Sequence, residues 1–156
     1  MARKEIPNIN IENARIMFRN FGGNPDKYHK NGGYRNFTVV IDDKDEAEQM
    51  IKDGWNVRIL APREEGDEPR YTIQVAVTFN NYPPKIVMIT RRAKVELDEE
   101  SVASLDYADV ISADVCITPY CWEVDGKSGV KAYLKTMYIK IEEDEFAEKY
   151  DDLGFN

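Results

Sequence analysis

A chain of 156 residues, 42% hydrophobic and 32% charged, has the length and apolar content of one packed domain and too much charge for a membrane protein. Its uncharged apolar stretches, such as residues 75–77 and 86–89, fall far short of the ~20 residues that span a bilayer. No apolar h-region follows Arg3 and Lys4, so neither a membrane span nor a secretory signal is expected. The net charge of −8 is spread unevenly: residues 142–156 hold seven acids and one lysine, a net −6, which leaves −2 for residues 1–141. Within that body, residues 14–37, 85–94 and 126–140 each carry +4. Basic segments on the body and a counter-charged tail point to an anionic partner.

In chain order, period-two alternation predicts a first strand over residues 9–18. Residues 21–33, with glycine pairs at both ends and Pro25 between, read as a long polar, basic loop, and Phe37, Val39 and Ile41 mark the next strand. Asp43 with Glu46 three residues on has capping-box chemistry, Ala47, Met50 and Ile51 form an apolar stripe, and Gly54 stops the helix. Trp55, Val57 and Ile59 alternate with Asn56 and Arg58. Over residues 70–79, Tyr71, Ile73, Val75, Val77 and Phe79 oppose Arg70, Thr72, Gln74, Ala76 and Thr78. The Glu64-Glu65-Gly66-Asp67 turn joins these two runs as an antiparallel hairpin. A strand over 85–90 precedes one carrying Ala93, Val95 and Leu97, and a short helix follows from Asp98 to about Leu105, with Leu97 and Val102 placed as a hydrophobic staple. Strands over 115–124 and 130–141 bracket Asp125-Gly126-Lys127-Ser128-Gly129, a glycine-containing turn suited to a hairpin. Many short strands and two helices too short to form a layer predict an all-β fold, an OB-fold-like antiparallel β-barrel over residues 1–141, with residues 142–156 as an acidic tail.

Catalysis needs a nucleophile with its base, a carboxylate pair of split pKa, or a metal cage. His29 is the single histidine. Cys116 and Cys121, five apart in a predicted strand, would lie ~16 Å from each other, too far for a disulfide. There is no Cys-x-x-Cys, no phosphate loop, no Gly-x-Ser-x-Gly and no His-Glu-x-x-His. Asp42, Asp43 and Asp45 imitate a metal cluster but stand at a helix start, where carboxylates cap amides. No enzyme, cofactor or metal site is expected, and no membrane partner.

Binding chemistry is better represented. Lys131, Tyr133 and Lys135 are expected on one face of the last strand, opposite Ala132, Leu134, Thr136 and Tyr138, a pattern that could track phosphates and stack bases or simply hold a core tyrosine between solvated lysines. Lys27, Tyr28, His29, Lys30, Tyr34 and Arg35 put rings and cations together on the long loop, and Arg15 and Arg19 precede it. Trp55 reads as core. Tyr120 and Trp122 lie beyond Pro119, whose missing N–H favours an edge or a bulge, and their exposure stays open.

Several stretches resemble a known family: Asn20-Phe21-Gly22-Gly23, Gly33-Tyr34-Arg35-Asn36-Phe37, Gly54-Trp55-Asn56-Val57, Tyr82-Pro83-Pro84-Lys85-Ile86, and the run from Pro119 through Trp122, Gly126 and Gly129 to Leu134. In that order they are similar to the single-stranded DNA-binding proteins of bacteriophages and prophages, over most of residues 8–141. The resemblance implies a non-enzymatic OB-fold protein that coats single-stranded DNA, largely without regard to sequence, during phage DNA replication and recombination in the cytoplasm of the bacterial host. The expected DNA-binding residues, taken from charge and periodicity, are Arg15, Arg19, Lys27, Tyr28, Lys30, Tyr34, Arg35, Lys131, Tyr133 and Lys135. The tail is similar to acidic carboxy termini that end in or near an aromatic residue. Asp151, Asp152, Leu153 and Phe155 are therefore expected to reach replication or recombination proteins, although Asn156 after Phe155 departs from a terminal phenylalanine. A homo-oligomer is compatible with such a coat. The alternative is a phage-encoded protein-interaction module, a host-nuclease inhibitor or virion component, whose acidic surface is the active face.

Overall fold

The computed structural model describes residues 6–62, 64–80, 82–91 and 93–142. The tail residues Asp151, Asp152, Leu153 and Phe155 lie outside them, as does Arg92 of the second basic segment. The first predicted strand is two, β1 (Ile9–Ala14) and β2 (Ile16–Asn20), broken at Arg15. The break is a change of neighbour. β1 pairs with a late strand, its register slipping between Ile11 and Ala14 where Asn13 has φ 53°, while β2 pairs with β3 (Arg35–Ile41). At the joint the Arg15 carbonyl accepts the Val40 amide at 3.0 Å. A bulge bends and re-aims a strand in this way, and strict alternation in sequence cannot reveal it.

Helix α1 (Lys44–Asp53) has the expected ends: Asp43 accepts from the Asp45 and Glu46 amides, and Gly54, at φ 99°, closes on the Ile51 and Met50 carbonyls. Its buried stripe is narrower than expected, since Ala47 and Met50 are buried and Ile51 is exposed. β4 (Val57–Leu60) and β5 (Arg70–Val77) form the predicted antiparallel hairpin. Burial fades along β4, from Trp55 just before it to an exposed Ile59, because β4 pairs only with β5. β5 is covered on both faces at Thr72 and Ala76, unlike a half-solvated strand. β6 (Lys85–Ile89) and β7 (Lys94–Leu97) follow, then a 3-10 turn (Val102–Asp106) where a short helix from Asp98 was expected; Leu97 and Val102 are both buried, as a staple requires.

The chain ends in a 15-residue pair, β8 (Val110–Val124) and β9 (Lys127–Ile141). Asp125 and Gly126 both have positive φ, 51° and 79°. This two-residue primed turn matches strand twist, so β9 begins at Lys127, nearer the tip than expected, while β8 ends at Val124 as expected. β9 pairs with β8 along one edge and on the other with β5 (Val75 opposite Ala132) and then β6 (Lys85 opposite Thr136), both in parallel. These two pairings depart from the wholly antiparallel barrel expected. Parallel partners need a long crossover, and the chain between β5 or β6 and β9 supplies one.

The hydrogen-bonded path β1-β8-β9-β5-β3-β2 does not close, but its two ends are consecutive strands joined at Arg15, and the result is an OB-like fold around one core of Phe21, Phe37, Ile73, Ile117, Met137 and Ile139. Trp55 belongs to that core at 4% exposure and bridges to Val130. Trp55→Ala should lower unfolding free energy by ~3 to 5 kcal/mol in urea titrations, as loss of a large core side chain does; a loss under ~1 kcal/mol would mean that the ring does not hold helix α1 to β9.

Candidate nucleic-acid interface

β9 carries the site, and a bulge shapes it. Thr136 pairs with Cys116 and Leu134 with Ile117, so Lys135 has no partner on β8. Before the bulge Ala132 and Leu134 point into the core; after it Met137 and Ile139 do. Tyr138, expected on the face of Leu134, is therefore exposed, with the Lys85 ammonium 5.7 Å from its ring. The same place is where β9 exchanges β5 for β6. Between the end of β5 and the start of β6 a groove of about 980 Å³ opens, lined on β9 by Lys131, Tyr133 and Lys135, and elsewhere by Tyr34, Lys85 and Tyr120.

The groove is aromatic and cationic. The Lys131 ammonium lies 5.4 Å from the Tyr34 ring centre and 5.1 Å from that of Tyr133, and Tyr120 meets Tyr133 edge-on at 6.0 Å. Its charged lining is Arg35, Lys85, Lys131 and Lys135; among the described residues no carboxylate lines it, and the three lysines make no ion pair. A strip of cations between rings, without acids, fits a polyanion that also presents flat apolar faces.

The expected site residues divide into three groups. Tyr34, Arg35, Lys131, Tyr133 and Lys135 come together in the groove. Arg35 is partly committed, donating to the Phe21 carbonyl at 2.7 Å and facing Glu99 at 3.7 Å. Lys27, Tyr28 and Lys30 are exposed on the adjoining loop, with Lys27 against the Tyr28 ring at 5.8 Å. This loop is an Ω-like excursion whose ends meet, the Gly33 amide donating to the Gly23 carbonyl at 2.8 Å. Gly32 has φ 74°, and a Cβ there would sit 2.7 Å from the Gly23 oxygen, so the closure demands glycine. Asp26 organises the middle, accepting the Tyr28 and His29 amides at 2.8 and 2.6 Å. Desolvation pushes its carboxyl up, but these bonds and the His29 ring outweigh that and hold it below the usual aspartate value. His29 in turn stacks on Tyr34 at 4.5 Å, so the loop backs one face of the groove's tyrosine.

Arg15 and Arg19 are placed elsewhere. Arg15 pairs with Asp42 at 3.0 Å on the surface, and neither residue lines the groove. Arg19 donates to the carbonyls of Leu105 and Ala108, both at 2.6 Å, while Asp106 accepts the Phe21 and Gly22 amides at 2.6 and 2.9 Å. Arg19 thus fastens the base of the loop to the 3-10 turn. Asp42, Asp43 and Asp45 do not form a cluster of ligands: one pairs with Arg15 and one caps the helix. Sequence reasoning left out Lys85, Tyr82 and Tyr120, which line the groove from β6, the β5–β6 connection and β8. Their trace was the aromatic and basic content of Tyr82-Pro83-Pro84-Lys85 and the break in period between Leu134 and Met137.

An OB-like sheet with an acid-free, tyrosine- and lysine-lined groove defines a nucleic-acid-binding module. The whole chain, residues 1–156, matches the model of the phage ssDNA-binding domain, and the protein belongs to that family. The fold is similar to the single-stranded DNA-binding protein from bacteriophage Enc34 in complex with ssDNA, with TM-score 0.57, 13% identity and 89% of each chain covered. It is likewise similar to another structure of the Enc34 protein, with TM-score 0.56, 12% identity, and 94% of this chain and 89% of that one covered. No curated protein matches the sequence.

Two kinds of residue should separate by experiment. Arg19→Ala should lower thermal stability, by ~1.5 to 3 kcal/mol for charge-assisted bonds lost to backbone carbonyls. Tyr133→Ala should leave the melting temperature nearly unchanged and weaken oligothymidine binding by ~1 to 3 kcal/mol. The assignment fails if Tyr133→Ala unfolds the protein or Arg19→Ala affects only binding.

Proposed function

We propose that the protein coats single-stranded DNA along the β9 groove with little sequence preference, as a non-enzymatic component of phage DNA replication and recombination, acting in the cytoplasm of the infected host. The observation that carries this reading is Lys131 held between Tyr34 and Tyr133 in a groove whose charged lining is wholly basic. Phosphates pass the ammonium groups of Lys85, Lys131 and Lys135, and bases stack on the tyrosines. Lys27 and Lys30 extend the positive field from the loop. Phosphate contacts carry no sequence information and every base has a π-face, so such a site tolerates any sequence. The interaction-module alternative gains nothing from this groove, whose chemistry is the opposite of an acidic active face.

Fluorescence anisotropy with labelled oligothymidine tests the reading. Log affinity should fall with log salt at a slope of about −0.7 per phosphate neutralised. Lys131→Glu with Lys135→Glu should weaken oligothymidine and mixed sequences about equally. A flat salt response would overturn the groove model.

The tail belongs to the same electrostatics. Residues 142–156 carry −6 on a body of −2 that holds three basic segments. As a tethered anion at an effective concentration that reaches millimolar for short flexible linkers, the tail competes with DNA for the groove and offers Asp151, Asp152, Leu153 and Phe155 to replication partners when DNA displaces it. Truncation after Ile141 should tighten oligothymidine binding, most at low salt, and equal affinities at every salt concentration would exclude autoinhibition.

A further inference from the structure

Beside the groove lies a second recess of about 450 Å³ that shares Tyr34 and Lys131 with it and is walled by Trp122, Asn56 and Gln74. Trp122 stands opposite Gly129 across the β8–β9 ladder. A Cβ on Gly129 would lie 2.9 Å from Trp122 Cζ2 and 3.0 Å from Cε2, so the indole rests directly on the glycine backbone. One face of the ring is thereby covered and its position held, while the residue remains 38% exposed. β8 has already left β1 behind at this height, their last pair among the described residues being Ile9 with Ile117.

The polar wall is oriented as well. The Asn36 amide nitrogen donates to the Tyr34 carbonyl at 3.2 Å; a carbonyl only accepts, so the Asn36 oxygen must be the atom that receives the Gln74 Nε2 at 3.2 Å. Among the described residues Gln74 therefore keeps its Oε1 and one N–H uncommitted, an acceptor beside a donor. Asn56 is exposed and its side chain makes no hydrogen bond among the described residues. Among the described residues the single charge at the recess is Lys131, on its border with the groove.

Resting on the single-stranded DNA reading above, we infer that this recess takes one unpaired nucleobase, stacked on the open face of Trp122 with its edge toward Gln74 and Asn56. A phosphate has no use for a ring and two amides, whereas a base offers a flat face and a polar edge. Each of the four bases has a donor next to an acceptor on its pairing edge, and a carboxamide matches that pair in any of them. The recess therefore admits every base while requiring that the base be unpaired. The phosphate next to it falls at Lys131, which joins the recess to the groove.

The test uses the full chain and its Trp122→Phe and Gln74→Ala variants, titrated at low salt with oligothymidine and with an oligomer of the same length made of abasic deoxyribose phosphates. Tryptophan emission and anisotropy are read together. In the unaltered protein oligothymidine should quench emission and the abasic oligomer should bind without quenching. Trp122→Phe should bind oligothymidine without quenching, since Trp55 is buried. Gln74→Ala should weaken oligothymidine about 2- to 10-fold, the value of a lost hydrogen bond, and leave the abasic oligomer unaffected. Quenching that survives Trp122→Phe, oligothymidine bound without quenching, or equal weakening of both oligomers by Gln74→Ala would overturn the recess while leaving the groove reading intact. If neither oligomer binds, both readings fall.

Discussion

Everything in this fold depends on β9 having to satisfy two different neighbours along one edge. At Ala132 and Tyr133 it lies beside β5, and from Thr136 to Lys140 beside β6, while β8 accompanies it along the other edge. Two parallel partners cannot meet the same edge end to end without a gap, because each must turn away where the next begins. The unpaired Lys135 sits at that gap. The bulge lets β9 send Leu134 and then Met137 into one core, and the gap it straddles is the groove. The candidate groove is thus a consequence of how the sheet is assembled, which is why its lining joins β9 residues to others distant in sequence.

The loop over residues 21–34 is fixed at its base and presented at its tip. Phe21 is fully buried and stacks on Phe37 at 5.0 Å, anchoring the start, and Asp106 takes the next two amides. Arg19 holds the 3-10 turn that carries Asp106. From that base the chain departs at Gly23 and returns at Gly33, and the tip exposes Tyr28, Lys27 and Lys30. Two of the residues expected from the sequence to contact DNA, Arg15 and Arg19, face Asp42 and the turn carbonyls. Cationic side chains do both jobs, and only their partners distinguish them.

This sets what sequence could and could not tell. The helix at Lys44–Asp53 was legible to its caps, because capping is local chemistry between Asp43, Glu46 and Gly54. The hairpins β4–β5 and β8–β9 were legible from turn residues and alternation. The break at Arg15 and the bulge at Lys135 were not, since each depends on which distant strand lies alongside. A slip of one residue reverses every side chain beyond it, and so Tyr138 moved from the expected core face to the surface. Of the groove's lining, Tyr34, Lys131 and Tyr133 were singled out from an aromatic and basic pattern within a short stretch of chain. Lys85 and Tyr120 were missed because their proximity to Tyr133 exists only in the folded sheet.

The placement of Lys131 explains how the groove can be both ordered and attractive to an anion. A lysine positioned by a carboxylate gains ~0 to 1 kcal/mol at the surface, and its charge is then compensated. A lysine positioned over rings gains a comparable ~0.5 to 1 kcal/mol at exposed sites, and its charge remains whole. With Tyr34 and Tyr133 both within 6 Å, Lys131 is held by aromatic faces and keeps its full field. Arg35 shows the other choice: with its fork on the Phe21 carbonyl and Glu99 3.7 Å away, it braces the loop and contributes less to the field of the groove. On a chain whose net charge is −8, the groove's positive field rests on keeping a few ammonium groups uncompensated in one place, and aromatic positioning achieves that where ion pairing would cancel it.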